Sequence, residues 1–210
     1  MADHREAPQS IRQVSGIEMV TGVTEKITIP PNTSATVLYD YQVLTMGYPE
    51  LTLEGGKGSS VKIKYAEALY EKVNLKAHRD SVNNLTMYGV WDEFYPDGVR
   101  RTFRPLWKRA YRYVQLVVET SDEALDIVSL ESEYSGYPYH DMASFESSDP
   151  QLTEIFSMSQ RTLEMCSGET YYDTPFYEQL SYGGDNRPIG NISFYNTTDD
   201  RLFKEAMRLY

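Results

Sequence analysis

A short segment of this sequence, from Thr170 to Gly190, concentrates acidic and aromatic residues. Its carboxylates are Asp173, Glu178 and Asp185, and its rings are Tyr171, Tyr172, Phe176, Tyr177 and Tyr182. Carboxyl groups crowded by rings and by one another bind protons with different affinities, because burial and mutual repulsion oppose ionisation. One carboxyl can then act as an acid while the others stay charged. The segment is a candidate catalytic site, and the alternative is a solvated polar loop.

A helix is predicted on the N-terminal side of this segment. Asp149 has the side chain of an N-cap, and Pro150 suits the first helical position because its missing N–H is not needed there. Apolar residues then recur at helical spacing, at Leu152, Ile155, Phe156 and Leu163. Gly168 ends the pattern, so the predicted helix is amphipathic and stops just before the acidic segment.

Two further helices are predicted on the C-terminal side. One runs from about Pro188 to Asn196, and the other follows Asp199 and Asp200. Their apolar faces consist of Ile189, Ile192 and Tyr195 in the first, and of Leu202, Phe203, Ala206, Met207 and Tyr210 in the second. Because so few helices cannot bury such faces alone, residues 144–210 are predicted to be the start of a larger helical domain, truncated in this sequence.

Residues 18–143 have the pattern of an antiparallel β-sandwich. Val61, Ile63 and Tyr65 alternate with Lys62 and Lys64, which is typical of a half-buried strand. Turn residues separate such runs, at Pro30–Pro31, Gly55–Gly56, Asp97–Gly98 and Gly136. Several strands without an intervening helical pattern favour antiparallel pairing. Residues 1–17 are predicted to be an N-terminal extension or linker.

The run from Tyr111 to Glu119 is also predicted to be a strand of this sandwich. Simple alternation puts four residues on one face, Tyr111, Tyr113, Gln115 and Val117, and four on the other, Arg112, Val114, Leu116 and Val118. Trp91 and Trp107 are both suited to stacking on a sugar. For Trp107, however, packing within the sandwich is the preferred prediction.

The composition excludes several classes of function. The net charge of −11 and the pI of about 4.8 disfavour nucleic acid as a partner, because the phosphate backbone requires a basic face. No apolar run is long enough to predict a membrane span or a signal core. Cys166, the only cysteine, is predicted to be a small core residue, and the spacing of the three histidines predicts no metal site and no cofactor.

The run from Asp173 to Asp185, DTPFYEQLSYGGD, resembles the acidic signature of the α-L-rhamnosidases of glycoside hydrolase family 78, in which Asp, Glu and Asp stand at these offsets. Three other segments are similar to that family: GYPELTLEGGKGSSVKIKYAEALY (47–70), TFRPLWKRAYRYVQL (102–116) and SFESSDPQLTEIFSMSQRTLEMC (144–166). The common family pattern has Cys, Gln and Arg where this chain has Thr174, Phe176 and Tyr177, and Trp where it has Tyr182.

The resemblance implies a mainly β protein with a C-terminal α part: an antiparallel β-sandwich followed by the first helices of an incomplete (α/α)6 barrel. It implies that Glu178 is the general acid, that Asp173 and Asp185 bind the rhamnose hydroxyls, and that hydrolysis inverts the anomeric centre. Tyr182 and Arg187 are further candidates for substrate binding. No residue of this sequence matches the family's water-activating base, so these 210 residues alone are expected to be inactive.

The expected partner is a rhamnose-containing oligosaccharide, polysaccharide or glycoside, with self-association through the incomplete helical part as a further expectation. The resemblance suggests a periplasmic or extracellular location, and the sequence is also compatible with the cytoplasm. Two other functions stay open at this stage. The sandwich could be a non-catalytic carbohydrate-binding module, or a purely structural module that orients neighbouring domains.

Overall fold

The computed structural model describes residues 2–140 and 142–210 and divides into two compact units. Among the described residues, the sheet unit is Arg5–Tyr134, and the helical unit is Ser135–Tyr210 together with residues 2–4. The strands are β1 (Ala2–Glu6), β2 (Ser10–Ser15), β3 (Ile27–Ile29), β4 (Ser34–Gly55), β5 (Ser60–Ala66), β6 (Tyr70–Lys72), β7 (Leu75–Lys76), β8 (Trp91–Phe94), β9 (Gly98–Phe103), β10 (Arg109–Glu119) and β11 (Leu125–Gly136). The helices are α1 (Pro150–Met165), α2 (Gly183–Asn196) and α3 (Arg201–Arg208).

The sheet unit is built around the 22-residue strand β4, whose two halves pair with different neighbours. Its first half lies between β2 and β10, and β10 continues through β5 to β8. Its second half lies between β9 and β11, and β11 also pairs with β3. All of these pairs are antiparallel. The predicted antiparallel β-sandwich is therefore confirmed, since one long strand passes from one layer to the other.

The hydrophobic core lies between the two layers. β5 alternates as its sequence predicts, with Val61, Ile63 and Tyr65 fully buried and Lys62 and Lys64 partly exposed. Residues from both halves of β4 and from β10 and β11 complete the same cluster, including Val37, Leu51, Leu53, Leu116, Val118 and Ile127. Burial of this apolar area is the main stabilising contribution to the unit.

A β-bulge in the pairing of β4 with β10 changes which residues face the core. Tyr111 lies opposite Thr45 and Tyr113 lies opposite Asp40, so four residues of β4 oppose the single residue Arg112. Such a bulge reverses the side-chain direction on one side of it. Tyr111 consequently joins Val114 in the core. The simple alternation predicted for Tyr111 and Arg112 was therefore wrong, since Arg112 lies on the outer face with Tyr113, whereas from Tyr113 onward it is confirmed.

The outer face of the first layer carries a buried ion cluster. The Asp40 carboxylate accepts hydrogen bonds from Arg112 Nε at 3.0 Å and Nη2 at 3.2 Å, and from Arg12 Nη1 at 2.7 Å. Arg112 also donates to Asp80 Oδ1 at 2.6 Å, in the segment that covers this face. Burial would raise the pKa of Asp40, but the hydrogen bonds from Arg112 and from the Gln42 backbone N–H outweigh it and lower the pKa below its ordinary value.

In the helical unit the first helix forms as its sequence predicts. α1 begins at Pro150, and the Asp149 side chain caps it by accepting from the Gln151 N–H at 3.0 Å. Leu163 and Met165 are buried at its C-terminal end. Cys166 follows, buried to 8% exposure, which confirms its prediction as a core residue. Burial, assisted by the charge of Asp173, raises the pKa of its thiol to about 11, so it is a poor nucleophile.

The second helix begins earlier than its sequence predicts, at Gly183 instead of Pro188. The glycines at its start and Pro188 obscured the pattern, because glycine and proline have low intrinsic helix propensity. α3 begins after Asp200 as predicted, and Leu202 and Ala206 are buried in it. The two helices approach closely, since a Cβ on Gly190 would stand 2.3 Å from the Phe203 ring. In the described part of the chain, no helix is long and apolar enough to cross a bilayer.

The predicted domain limits, after residue 17 and after residue 143, stay predictions. The units divide between Tyr134 and Ser135, whereas the sequence pattern placed the change at Ser144. Residues 1–17, predicted to be an extension, contain strand β2, which pairs with β4 from Ser10 to Ser15. An edge strand needs only one partner and little apolar pattern, which explains why it was missed. Trp107, predicted to pack within the sandwich, is 58% exposed.

Candidate active site

The acidic segment of the helical unit brings two of its three carboxylates to one cleft. Asp173 and Asp185 both line a cavity of about 320 Å³. Its remaining lining is mostly apolar and comes from α1, α2 and the turn between them: Ser159, Thr162, Leu163, Cys166, Pro188, Ile189 and Ile192. Two carboxylates at the rim of an apolar cleft offer acceptors to ligand hydroxyls and an apolar wall to ligand carbons.

Hydrogen bonds to the backbone fold the loop before α2 into a fixed shape. The Asp173 N–H donates to the Leu180 carbonyl at 2.9 Å, and the Leu180 N–H donates to Asp173 Oδ1 at 3.1 Å. Gln179 adopts the left-handed conformation at φ 54°, and its side chain donates to the Pro175 carbonyl at 2.7 Å. Asp173 therefore has one carboxylate oxygen engaged in closing the loop, and Oδ2 is the oxygen best placed for a ligand.

Asp185 is positioned by the start of α2 instead of by a loop. It lies in the first turn of the helix and is exposed. The unpaired N–H groups and the dipole of a helix N-terminus favour a negative charge there. Its neighbour Asn186 is fully buried and exchanges hydrogen bonds with Ser181, at 3.0 and 3.2 Å. Asn186 thus anchors the end of the loop to the helix that carries Asp185.

Glu178 lies on the exposed side of the same loop and is held by an aromatic neighbour. The Tyr182 hydroxyl donates to Glu178 Oε2 at 2.6 Å. This contact joins two of the residues that the sequence predicted for the site, and it spans the loop from its middle to the N-cap of α2. One carboxyl oxygen of Glu178 is used by Tyr182, and Oε1 is left to carry a proton or to meet a ligand.

The phenol of Tyr182 is expected to titrate abnormally. The hydrogen bond to the Glu178 carboxylate, and then desolvation, raise the pKa of Tyr182 to about 12. We expect Glu178→Gln to lower this pKa toward the ordinary value of 10.0, because the neutral amide no longer opposes phenolate formation. The measurement is an NMR titration of ¹³C-tyrosine-labelled chain, with the Tyr182 signal assigned from Tyr182→Phe.

Asp185→Asn is the matched control for this titration, because the charge of Asp185 contributes least to the raised pKa of Tyr182. It should leave the midpoint nearly unchanged. A Tyr182 midpoint near 10 in the unaltered chain would show that the Tyr182–Glu178 hydrogen bond does not persist in solution.

Arg187, the remaining candidate for substrate binding, does not line the cleft. Arg187 is exposed on α2 and, among the residues that the structure describes, has no carboxylate within 4.0 Å. Its predicted role in substrate binding stays a prediction. Glu205 forms a surface ion pair with Arg208 at 3.1 Å on α3. The described residues contain no group of three or more His, Cys, Asp or Glu placed to hold a metal ion.

Sequence reasoning missed the apolar wall of the cleft as part of the site. Leu163, Ile189 and Ile192 were assigned only to helix faces, and Cys166 only to the core. All four line the cleft with the two carboxylates. The signal was present in the sequence, since apolar residues of two consecutive helices flank the acidic loop, but the pairing of their faces is a tertiary property.

Comparison with known proteins identifies the class of fold. Residues 32–133 match the family model of the bacterial alpha-L-rhamnosidase concanavalin-like domain. The structure of the rhamnosidase from Klebsiella oxytoca with rhamnose bound is similar with a TM-score of 0.78 at 16% identity, over 100% of this chain and 44% of that one. A search of curated proteins found no match.

Two further rhamnosidase structures share the fold. The family GH78 enzyme of Bacillus sp. GL1 has a TM-score of 0.71 at 20% identity, and the enzyme of Aspergillus terreus has 0.63 at 17% identity. The matches cover 86% and 95% of this chain, but 18% and 21% of those enzymes. The chain thus spans less than half the length of the solved rhamnosidases described here.

Residues 32–133 of the sheet unit are thus similar to the bacterial alpha-L-rhamnosidase concanavalin-like domain, over slightly less than half of the chain. The chain as a whole shares its fold with solved α-L-rhamnosidases, one of which belongs to family GH78. The order of a β-sandwich followed by the start of a helical domain is the one found in those structures.

Proposed function

We propose that this chain contributes to a glycoside hydrolase that removes terminal α-L-rhamnosyl residues with inversion. In this proposal α1, α2 and α3 are the first helices of an (α/α)6 barrel, and the Asp173–Asp185 cleft receives the sugar. Glu178 is the general acid, Tyr182 orients it, and Arg187 lies where the rest of the substrate could approach. The base that activates water is not assigned to any residue of this sequence.

The observation that carries the proposal is the convergence of Asp173 and Asp185 on one cleft with an apolar wall. Rhamnose is a 6-deoxy sugar, so it presents hydroxyls on most of its ring carbons and a methyl group at C6. Carboxylates bind vicinal hydroxyls well, because each oxygen accepts more than one hydrogen bond. Ile189 and Ile192 offer an apolar surface that suits the C6 methyl group. The hydroxymethyl group of an ordinary hexose would lose its hydrogen bonds with water there.

The geometry of Glu178 is compatible with proton donation. Tyr182 donates to Oε2, which restricts the rotation of the carboxyl group and leaves Oε1 available. A protonated Oε1 could donate to the glycosidic oxygen as the bond to the anomeric carbon breaks, while a water molecule attacks from the opposite face. In inverting enzymes the acid and the base stand roughly 6.5–9.5 Å apart to leave room for that water.

The test of this function is the hydrolysis of an aryl α-L-rhamnoside by the purified full-length gene product, followed by ¹H NMR. We expect β-L-rhamnose to appear first, before mutarotation, because attack opposite the leaving group inverts the centre. An aryl β-D-glucoside should be hydrolysed far more slowly. Initial release of α-L-rhamnose would contradict inversion, and the absence of turnover on any rhamnoside would contradict the proposed function.

A second candidate is that the sheet unit binds carbohydrate without taking part in catalysis. A separate cavity of about 270 Å³ in that unit favours this possibility.

A further inference from the structure

The helix α2, which carries Asp185, buries an unusual face. Its buried residues are Asn186, Gly190, Ser193 and Asn196, which recur at helical spacing and include no large apolar side chain. The apolar residues Ile189 and Ile192 line the Asp173–Asp185 cleft instead. Apolar burial is non-directional, whereas hydrogen bonds are directional. Hydrogen bonds from this polar face therefore fix much of the rotation and position of α2.

Each end of this face and its middle have a side-chain partner. At the C-terminal end, Asn196 Oδ1 accepts from Gln160 Nε2 of α1 at 3.1 Å. In the middle, Ser193 Oγ donates to the Gly190 carbonyl at 2.8 Å and lies 2.6 Å from the Tyr171 hydroxyl. Because the Ser193 proton is used by Gly190, Tyr171 is the donor in the shorter contact. Tyr171 thus ties the middle of α2 to the segment that precedes the acidic loop.

Tyr171 is itself held firmly by its surroundings. It is 1% exposed and packs with Leu202 and Ala206 of α3 in the apolar cluster of this unit. Its backbone pairs with that of Ser167 in an isolated antiparallel bridge, and the Tyr139 hydroxyl is a second hydrogen-bonding partner of its phenol. A close-packed interior leaves such a side chain little room to move. Tyr171 is therefore a fixed point against which α2 is placed.

The Tyr171–Ser193 hydrogen bond joins the two segments that carry the carboxylates of the cleft. Tyr171 precedes Asp173 by two residues in the sequence. Ser193 lies eight residues after Asp185 on the same helix, about 12 Å along its axis. A helix moves as a rigid element, so a shift of α2 at Ser193 also displaces Asp185 relative to Asp173.

We infer that Tyr171 is a positioning residue for the Asp173–Asp185 cleft. Its hydroxyl, through Ser193, holds α2 where both carboxylates reach one sugar ring. The inference rests on the proposed function, in which this cleft receives rhamnose, and it adds a residue that does not line the cleft. Tyr171 acts on the substrate only through the placement of Asp185.

The experiment measures the hydrolysis of an aryl α-L-rhamnoside by the full-length gene product and by its Tyr171→Phe variant. The substitution keeps the ring, and Ser193 keeps its bond to Gly190, so the variant should fold. We expect KM to rise about fivefold to tenfold, the equivalent of one buried hydrogen bond, because the freedom that α2 regains is lost again on binding. The value of kcat should change less than about twofold, as for the loss of uniform binding.

Tyr137→Phe is the matched control. Tyr137 packs against the same apolar cluster, and its hydroxyl donates to Asp199 Oδ2 at 2.8 Å, just before α3. This variant also loses one tyrosine hydroxyl from the helical unit, so its thermal stability should fall to a similar degree. Its KM should stay near the original value, which separates positioning from a general loss of stability.

Ser193→Ala removes the other partner of the hydrogen bond. Alanine is favourable within a helix, and the Tyr171 hydroxyl keeps Tyr139 as a partner, so this variant should fold as well. It should raise KM as Tyr171→Phe does. The double variant should show the same KM as either single variant, because both substitutions delete one shared interaction.

Amide hydrogen exchange of α2 provides a readout that does not depend on activity. Tyr171→Phe should speed the exchange of the α2 amides more than Tyr137→Phe does, because it removes a bond that opposes local opening of this helix.

Two kinetic results would overturn the inference. One is an equal KM for Tyr171→Phe and Tyr137→Phe, and the other is a pair of KM increases that multiply in the double variant with Ser193→Ala. The absence of turnover on any rhamnoside by the unaltered protein would contradict the proposed function instead. Hydrogen exchange would then decide by itself, since unchanged α2 exchange in Tyr171→Phe would show that Tyr171 does not hold this helix.

Discussion

Replacing Glu178 by Gln is expected to lower kcat/KM by roughly a hundred- to ten-thousandfold on a rhamnoside whose leaving group is a poor one, such as an alcohol. The amide has nearly the shape of the carboxyl group and can still accept from Tyr182, but it has no proton to donate to the departing oxygen. The loss should therefore appear in the chemical step. The measurement is steady-state hydrolysis by the full-length gene product.

The leaving group supplies the internal control for this prediction. The dinitrophenolate of a dinitrophenyl rhamnoside departs without protonation, so Glu178→Gln should lower kcat/KM for this substrate much less. Glu169→Gln removes an exposed carboxylate of the same unit that does not line the Asp173–Asp185 cleft, and it should leave both rates near their original values. Equal losses on the two rhamnosides would mean that Glu178 serves some role other than proton donation.

The second large effect is expected on the stability of the sheet unit. Asp40→Asn should lower its free energy of unfolding by about 3 kcal/mol, at the lower end of the range for breaking a buried ion pair. The buried guanidinium of Arg112, 8% exposed, would lose its main counter-ion and keep only Asp80. Urea unfolding followed by tryptophan fluorescence measures this unit alone, because Trp91 and Trp107 both lie within Arg5–Tyr134.

Asp80→Asn is the control, since it removes the other carboxylate from the same arginine. Asp80 is 58% exposed, so its loss should cost about 1 kcal/mol or less. The pH dependence provides a second check. The pKa of Asp40 is lowered on folding, so its contribution is fully present above its unfolded pKa, near 3.8, and is lost as the pH falls through the lower folded value.

The free energy of unfolding of the Asp40→Asn variant should therefore fall less than that of the unaltered chain when the pH is lowered from about 5 to 3. If Asp40→Asn and Asp80→Asn destabilise the sheet unit equally, burial does not decide the strength of this cluster.

Elements specified by local patterns could be predicted from the sequence. The alternation in β5 needed only the period of a strand, and the start of α1 needed only Asp149 and Pro150 in order. The acidic segment was recognisable because Asp173, Glu178 and Asp185 stand among aromatic residues in one short run and resemble a family signature in their spacing. In each case the information lies within a few neighbouring residues.

Features that depend on distant partners could not be predicted in this way. The bulge that places Tyr111 in the core arises from the pairing of two strands separated by more than sixty residues along the chain. α2 begins at Gly183 although its glycines have weak helix propensity. Tertiary contacts, such as that of Gly190 with Phe203, stabilise the helix.

The candidate site illustrates the same division. Residue types and spacing determined which groups are present: three carboxylates, a ring at Tyr182, and apolar helices on either side. Only the tertiary structure decided that Asp173 and Asp185 share a cleft, whereas Glu178 turns outward to Tyr182. The reason is that the directions of these three side chains depend on the loop closure at Leu180 and on the helix that begins at Gly183. Neither contact leaves a periodic trace in the sequence.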